Sequence, residues 1–290
     1  FYAGVLGQRL VKKTVNFDNP GVYHFYYGNE AGTPGTIMTT FPYKGMGVRV
    51  GTKGAGQINV TSFSVPAAAL DFWRTRLTGA GIAFADEHTP FGEDALALSD
   101  PSSLGIRIVG VARDERAPWA APGVEAGRAI RGIHSVALHV RQPTLTSAFL
   151  TSMLDFAVVA EGAGTIRLVA GTGMPGQIVE IVNAAAAPQA VNGLGTVHHV
   201  AFAVRDGDEQ LRMRDELLRS GCQVTEVRDR QYFTSIYFRE PNGILFEIAT
   251  LPPGFTVDEP LASLGRALKL PPWEEPGRAS IEARLPQVTY

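Results

Sequence analysis

The sequence predicts an α+β protein made of four βαβββ modules, each with one strand, one helix and three further strands. Two matches within the chain support this fold class. Residues 133–140 match residues 197–204 at an offset of 64 residues, and residues 176–182 match residues 243–249 at an offset of 67. Two matches at nearly one offset are typical of a duplicated module. A third observation is that apolar residues alternate in the matched segments, as in strands, and follow a helical spacing between them.

The fourth module has the clearest local signals. A helical apolar pattern stops at Gly221, and an Asn242-Gly243 turn leads into the last strand. The predicted elements are, in order, a strand at 195–204, a helix at 208–220, strands near 222–228 and 234–240, and a strand at 243–249.

The second and first modules follow the same order. The second is predicted from a strand at 56–65, a helix at 66–79 that begins with a proline, and a last strand at 105–111. The first is predicted from a helix end at 1–7 and strands at 9–17, 22–28 and 36–42. Because this helix end has a glycine cap but no start, we expect the first strand of module one to precede Phe1 and to be absent from the given chain.

We predict two domains, a linker and a tail. Their bounds are 1–111 for the domain of modules one and two, 112–130 for the linker, 131–254 for the domain of modules three and four, and 255–290 for the tail. The linker is rich in alanine, proline, glycine and charge. The tail has a short helical pattern at 258–270 and is predicted to pack over the domains, because its leucines and Trp273 would otherwise be exposed.

Composition excludes several classes of protein. The chain has 290 residues, of which 45% are hydrophobic and 19% charged, and a net charge of -2. This balance suits a globular protein and gives no electrostatic reason to expect nucleic acid or a membrane as a partner. Cys222 is the only cysteine, which excludes an intramolecular disulfide and a thiolate-rich metal site. We therefore expect a cytoplasmic protein, and the sequence leaves a homo-oligomer open.

His199 and Glu247 are the strongest candidates for metal ligands. If both lie in strands, His199 shares a face with Ala201 and Ala203, and Glu247 lies opposite the bulky Phe246. A buried carboxylate needs a partner. One carboxylate together with imidazoles is the ligand set of a non-haem iron(II) site. The alternative is a hydrogen-bonded core histidine and an unrelated carboxylate.

Several sequence runs resemble one family. They are residues 9–17, 27–36, 196–202, 230–243 and 271–273. Through these runs the chain resembles the hydroquinone ring-cleaving dioxygenases of the 2,6-dichlorohydroquinone dioxygenase type. They belong to the vicinal oxygen chelate superfamily, with glyoxalase I, bleomycin resistance proteins and extradiol dioxygenases. The resemblance implies half-open mixed β-barrels, the glyoxalase/dioxygenase fold, with Fe(II) as cofactor and a small aromatic molecule and O2 as substrates.

The resemblance also implies which residues bind the metal. In that family the iron ligands are a histidine on the first strand of module one, a histidine on the first strand of module four, and a glutamate on the last strand of module four. His199 and Glu247 match the second and third ligands, so the first is expected upstream of Phe1. Val60 and Ser135 stand at the positions aligned with His199. Mn, Zn or another divalent metal is the alternative to Fe(II).

Three further residues are predicted around the metal. Tyr237 alternates with Ile236 and Phe238 and so is predicted to face the metal side. The resemblance implies that Tyr237 and Arg230 line the substrate pocket, where a phenol can relay a proton and a guanidinium can stabilise negative charge. It also implies that His198 lies near the site. The alternative for Tyr237 is a half-exposed tyrosine on a strand, and that for Arg230 is a solvated arginine in a loop. The alternative for His198 is a structural histidine.

Glu180 is the rival carboxylate. It aligns with Glu247 in the third module, so a glyoxalase-like site would contain Glu180, His199 and Glu247. Such a carboxylate-rich site would suit harder divalent ions. His139 could approach this region, but a lone strand histidine is more often structural.

The favoured function is an Fe(II)-dependent extradiol-type dioxygenase that cleaves a hydroquinone-like or catechol-like ring. The alternatives are a glyoxalase-like, metal-dependent isomerase or transferase and a non-catalytic drug-binding resistance protein of the same fold. Metal analysis separates the three, because they require iron, a redox-inert divalent ion and no metal, respectively.

Overall fold

The computed structural model describes residues 1–288. Runs of three or four strands are separated by single helices along this part of the chain. Its strands are β1 (Arg9–Asn16), β2 (Asn19–Gly28), β3 (Met38–Thr40), β4 (Gln57–Pro66), β5 (Phe84–His88), β6 (Asp94–Ser99), β7 (Gly105–Val111), β8 (Gly132–Val140), β9 (Ala157–Gly162), β10 (Thr165–Val169), β11 (Ile178–Asn183), β12 (Val200–Val204), β13 (Arg228–Asp229), β14 (Thr234–Arg239) and β15 (Leu245–Thr250).

Four α-helices are present within residues 1–288. They are α1 (Leu70–Gly79), α2 (Pro143–Met153), α3 (Gly207–Arg219) and α4 (Arg278–Arg284). The predicted helix at 66–79 begins with a 3₁₀ turn at Ala67–Ala69 that runs into α1. Helix α3 is capped by Asp206, whose carboxylate accepts a hydrogen bond from the Glu209 amide and satisfies one of the free donors of the first turn. No helix among the described residues is long and apolar enough to cross a membrane.

Modules two, three and four share one topology. Each has a first strand, a helix and three strands, and in each the first strand pairs in parallel with the last, as β4 with β7, β8 with β11 and β12 with β15. Parallel neighbours need a crossover connection, which the module's helix supplies. The first module contributes the three-stranded sheet β1-β2-β3. The predicted α+β class is therefore confirmed.

One eight-stranded sheet joins modules two and three. Its order is β5-β6-β7-β4-β8-β11-β10-β9, with β4 antiparallel to β8. Module four forms a separate four-stranded sheet, β12-β15-β14-β13. The predicted domain bounds stay a prediction. The eight-stranded sheet contains strands from both sides of the predicted linker 112–130, since β4 to β7 precede it and β8 to β11 follow it. Within that predicted linker Val124 and Ala129 are buried in the core beside α1.

Two predicted elements of module four are corrected. The strand at 195–204 begins only at Val200, because Gly195 has a φ of 79° and Thr196 bonds back to the Gly193 carbonyl in a turn. The strand near 222–228 is reduced to an isolated bridge at Val224 and the short β13. There the Thr225 hydroxyl, in place of a backbone carbonyl, accepts a hydrogen bond from the Tyr237 amide. This interrupts the ladder of backbone hydrogen bonds between the two strands.

The tail packs on the first module. The Lys12 ammonium is fully buried and lies 2.5 Å from an oxygen of Asp258 and 2.6 Å from one of Glu259. The predicted helix at 258–270 is wrong, because these carboxylates turn inward to Lys12 and only a 3₁₀ turn forms, at Leu261–Ser263. The helix of the tail is instead α4, whose Ile281 packs with the core of β1 and β2.

Candidate functional site

His199 and Glu247 meet at one end of the module four sheet. Nε2 of His199 lies 2.7 Å from Oε2 of Glu247. Glu247 is 3% exposed on β15, and His199 immediately precedes β12, its parallel neighbour. The structure therefore brings together the two residues predicted as metal ligands.

The register of the sheet fixes the polar face of this site. Glu247 lies between Ala201 on β12 and Tyr237 on β14. Phe246 and Ile248, the neighbours of Glu247 in sequence, are fully buried in the apolar core on the other face. Alternation along the strands thus separates the polar and apolar faces, as the sequence predicts.

Two hydroxyl groups hold the second oxygen of Glu247. The Ser235 hydroxyl and the Tyr237 hydroxyl both donate to Oε1, the latter at 3.0 Å. Burial by itself would raise the pKa of Glu247, but the hydrogen bonds from His199, Ser235 and Tyr237 and the charge of His199 hold it below its usual value. Glu247 is therefore an anion whose Oε2 faces His199.

Arg230 and Tyr237 form a chain that leads from Glu247 to the first module. Nε of Arg230 donates to the Tyr237 hydroxyl at 3.2 Å, and Nη2 donates to Asp18 at 3.1 Å. Burial lowers the pKa of Arg230, but Tyr237 and Asp18 outweigh it and raise the pKa. Burial and the charge of Glu247 raise the pKa of Tyr237. The guanidinium therefore lies two hydrogen bonds away from the Glu247 carboxylate.

His198 lies beside His199 rather than across the sheet from it. Both residues precede β12, so their rings do not alternate, and their Nδ1 atoms are 2.8 Å apart. One ring must donate this hydrogen bond and the other must accept it. Burial, His199 and Arg239 lower the pKa of His198. His198 also lines a small pocket with Gln57 and Arg239.

The donor pair fits a divalent metal. One imidazole nitrogen and one carboxylate oxygen converge at His199 and Glu247, and iron, manganese and zinc all accept both donor types. Within residues 1–288 no group of three or more histidine, cysteine, aspartate or glutamate side chains is placed to hold a metal ion. The described residues therefore supply two donors.

The rival carboxylate Glu180 has different partners. It lies on β11 in the eight-stranded sheet, 2.6 Å from Arg167 and 3.4 Å from Arg107. Arg167 in turn binds Glu93, which lies 3.2 Å from Nε2 of His134. Among residues 1–288 the structure gives no contact between Glu180 and either His199 or Glu247. At the position equivalent to the His199–Glu247 pair, module three thus has a carboxylate neutralised by arginine.

The sequence reasoning missed four residues of the site. Ser235 could have been found, because it lies two positions before Tyr237 on the same face of β14. No sequence signal points to Asp18, His24 or Tyr26, which belong to the β1–β2 hairpin. His199 and Arg230 add to burial in lowering the pKa of His24, and Glu247 and Tyr237 add to burial in raising that of Tyr26. The hairpin therefore forms part of the wall of this site.

Comparison with known proteins gives a consistent result. The model of the Glyoxalase/Bleomycin resistance protein/Dioxygenase superfamily matches residues 132–248. The "Putative ring-cleaving dioxygenase MhqE" of Bacillus subtilis (strain 168) is 44% identical over 99% of this chain and 93% of its own length. The chlorohydroquinone/hydroquinone 1,2-dioxygenase of Sphingobium indicum is 34% identical over 92% of this chain and 84% of its own. A crystal structure titled "putative dioxygenase", from Bacillus subtilis subsp. subtilis str. 168, is 41% identical and superposes with a TM-score of 0.95 over 100% of this chain and 92% of its own.

Proposed function

The chain belongs to the Glyoxalase/Bleomycin resistance protein/Dioxygenase superfamily, and on that premise we propose that it is an Fe(II)-dependent, extradiol-type ring-cleaving dioxygenase. Its substrates are a hydroquinone-like aromatic molecule and O2. The relatives named as ring-cleaving dioxygenases support the reaction class, and one of them is named for hydroquinone. The observation that carries the proposal is the 2.7 Å approach of His199 to Glu247, with Tyr237 and Arg230 beside it.

His199 and Glu247 would hold the iron, and the family resemblance predicts the third ligand ahead of Phe1. Bound iron would supply the one-electron chemistry that O2 requires. Glu247 is kept ionised by its hydrogen bonds, so it can stay a ligand at neutral pH. Ser235 and Tyr237 occupy Oε1 and fix the orientation of the carboxylate, as partners of metal ligands commonly do.

Arg230 and Tyr237 provide the polar groups for the aromatic substrate. The Arg230 side chain is 15% exposed and its guanidinium is held by Asp18, so it presents a fixed positive charge beside the site. Such a charge stabilises a deprotonated phenolic oxygen. The Tyr237 hydroxyl can hold a proton between this arginine and Glu247. Both groups are ordered before substrate arrives, which lowers the cost of positioning it.

The first test measures bound iron and oxygen uptake. The protein expressed from its complete coding sequence is reconstituted with Fe(II), and O2 consumption is followed with hydroquinone and with catechol. We expect His199→Ala and Glu247→Gln to lose bound iron and oxygen uptake. The matched control is Glu180→Gln, which changes the aligned carboxylate of module three. Circular dichroism establishes that each variant is folded.

Three outcomes would contradict the proposal. Iron bound tightly by His199→Ala would exclude the assigned ligand. A redox-inert divalent ion with activity on thiol adducts would favour a glyoxalase-like isomerase or transferase. A protein that binds aromatic compounds but no metal would favour a drug-binding protein of this fold.

A further inference from the structure

His24 lies on the first module's sheet, in the hairpin that borders the site of the fourth module. The hairpin that carries His24 reaches the site through the 3.1 Å ion pair between Asp18 and Arg230. His24 and Tyr26 are two positions apart on β2 and share one face. The Tyr26 ring contacts that of Phe233, next to β14, with centroids 6.4 Å apart. The sheets of modules one and four therefore meet beside Arg230, and His24 is on the sheet that carries no metal ligand among the described residues.

Aromatic rings hold the imidazole of His24 in place. Its centroid is 4.0 Å from that of Tyr26 and 4.1 Å from that of Phe41, with Phe41 stacked at 29°. Nε2 is enclosed by protein and has no hydrogen-bond partner anywhere in residues 1–288. The residue as a whole is nevertheless partly exposed. A buried polar atom without a partner is rare in native proteins and calls for an explanation, such as a bound ligand.

The electrostatic surroundings of His24 also fit a role in binding a ligand. Burial and the nearby charges of His199 and Arg230 lower the pKa of His24. A neutral imidazole has one nitrogen that donates and one that accepts a hydrogen bond. Such a ring can bind a phenolic hydroxyl in either direction, without adding a second positive charge beside Arg230.

We propose that His24 determines substrate specificity by binding the hydroxyl group at the far end of a 1,4-dihydroxybenzene ring, opposite the hydroxyl held at His199 and Glu247. This inference rests on the proposed function. A 1,4-diol carries its second hydroxyl on the opposite side of the ring, whereas a 1,2-diol carries both on one side. His24 lies on the other sheet, so it contacts only the 1,4-diol. A site built to bind a substrate hydroxyl discriminates strongly against an analogue that lacks it.

His24→Phe tests the inference, because phenylalanine keeps the stacked ring but has no nitrogen. We expect kcat/KM for hydroquinone to fall about 10- to 100-fold, while kcat/KM for catechol changes less than about twofold. The matched control is His88→Phe, which alters an exposed histidine paired with Asp94 on the eight-stranded sheet. If the unfolding midpoint shows that His24→Phe is not folded, His24→Leu removes the same nitrogens.

An anaerobic binding measurement separates this inference from the proposed function. We expect the Kd of hydroquinone, measured by calorimetry without O2, to rise about tenfold in His24→Phe, and that of catechol to stay unchanged. Equal losses for both diols, or no loss for hydroquinone, would overturn the role of His24 even if the enzyme is an active dioxygenase. Absence of oxygen uptake by the wild-type protein would instead refute the proposed function, and the ratio of the two Kd values would still test His24.

Discussion

Tyr237→Phe removes one hydroxyl that links Arg230 to Glu247. In the wild-type protein this hydroxyl donates to Oε1 of Glu247 at 3.0 Å and accepts from Arg230 at 3.2 Å. Glu247 is 3% exposed, so water does not easily replace the lost donor. A hydrogen bond to a charged group contributes about 1.5–3 kcal/mol. That energy corresponds to a factor of about 10 to 150 in an equilibrium constant.

We therefore expect Tyr237→Phe to weaken Fe(II) binding about 10- to 100-fold, the range found when partners of metal ligands are changed. The assay is anaerobic titration with Fe(II) against a competing chelator, followed by oxygen uptake at saturating iron. Tyr23→Phe is the matched control, since Tyr23 packs against the tail helix in a separate cluster. Unchanged iron affinity and unchanged oxygen uptake in Tyr237→Phe would refute the role of this hydroxyl.

Three predictions concern stability. Lys12→Met leaves the carboxylate of Glu259, which is 3% exposed, without its cation, so we expect the free energy of unfolding in urea to fall by about 3–5 kcal/mol. Burial would raise the pKa of Glu93, but His134 and Arg167 hold it below its ordinary value of 4.5, so the stabilisation is present above pH 4.5 and is lost as the pH falls from there through the lowered pKa. Glu93→Gln should therefore flatten the dependence of the unfolding free energy on pH in this acidic range. Asp206→Ala removes the cap of α3 and should lower the unfolding free energy by about 1 kcal/mol.

Each of these variants has a specific check. Lys53→Met, at an exposed lysine, is the control for Lys12→Met and should change the unfolding free energy by less than about 0.5 kcal/mol. An unaltered slope against pH in Glu93→Gln would show that this carboxylate does not couple protonation to folding. A thermal unfolding midpoint of Asp206→Ala equal to that of the wild type would contradict the capping role.

Much of the candidate site follows from the sequence because it lies within one module. Glu247, Tyr237 and Ser235 lie on neighbouring strands joined by a short turn, and strand alternation sets the face on which each side chain lies. The repeat of the modules indicated where His199 and Glu247 lie relative to each other. Both signals are local or nearly local, so they can be read before any packing is known.

The elements that the sequence mispredicted depend on contacts from distant segments. The turn before Val200 places Gly195 where a side chain would collide with the carbonyl of Ser102, so the backbone of this segment is determined by the second module. The tail failed to form the helix predicted at 258–270 because Lys12 binds the carboxylates of Asp258 and Glu259, nearly 250 residues away in sequence. A helical pattern reports only the preferences of the segment itself.

The sequence by itself determined the βαβββ modules, the family and the pairing of His199 with Glu247, because periodicity and repetition are properties of the chain alone. Only the tertiary structure decided that β4 pairs with β8 and that arginines neutralise Glu180. It also decided that the hairpin of the first module lies beside the site. Asp18 and Arg230 are 212 positions apart in sequence, and His24 shares no pattern with the fourth module. Such contacts form when sheets pack against each other, and that packing depends on side chains from segments that are distant in sequence.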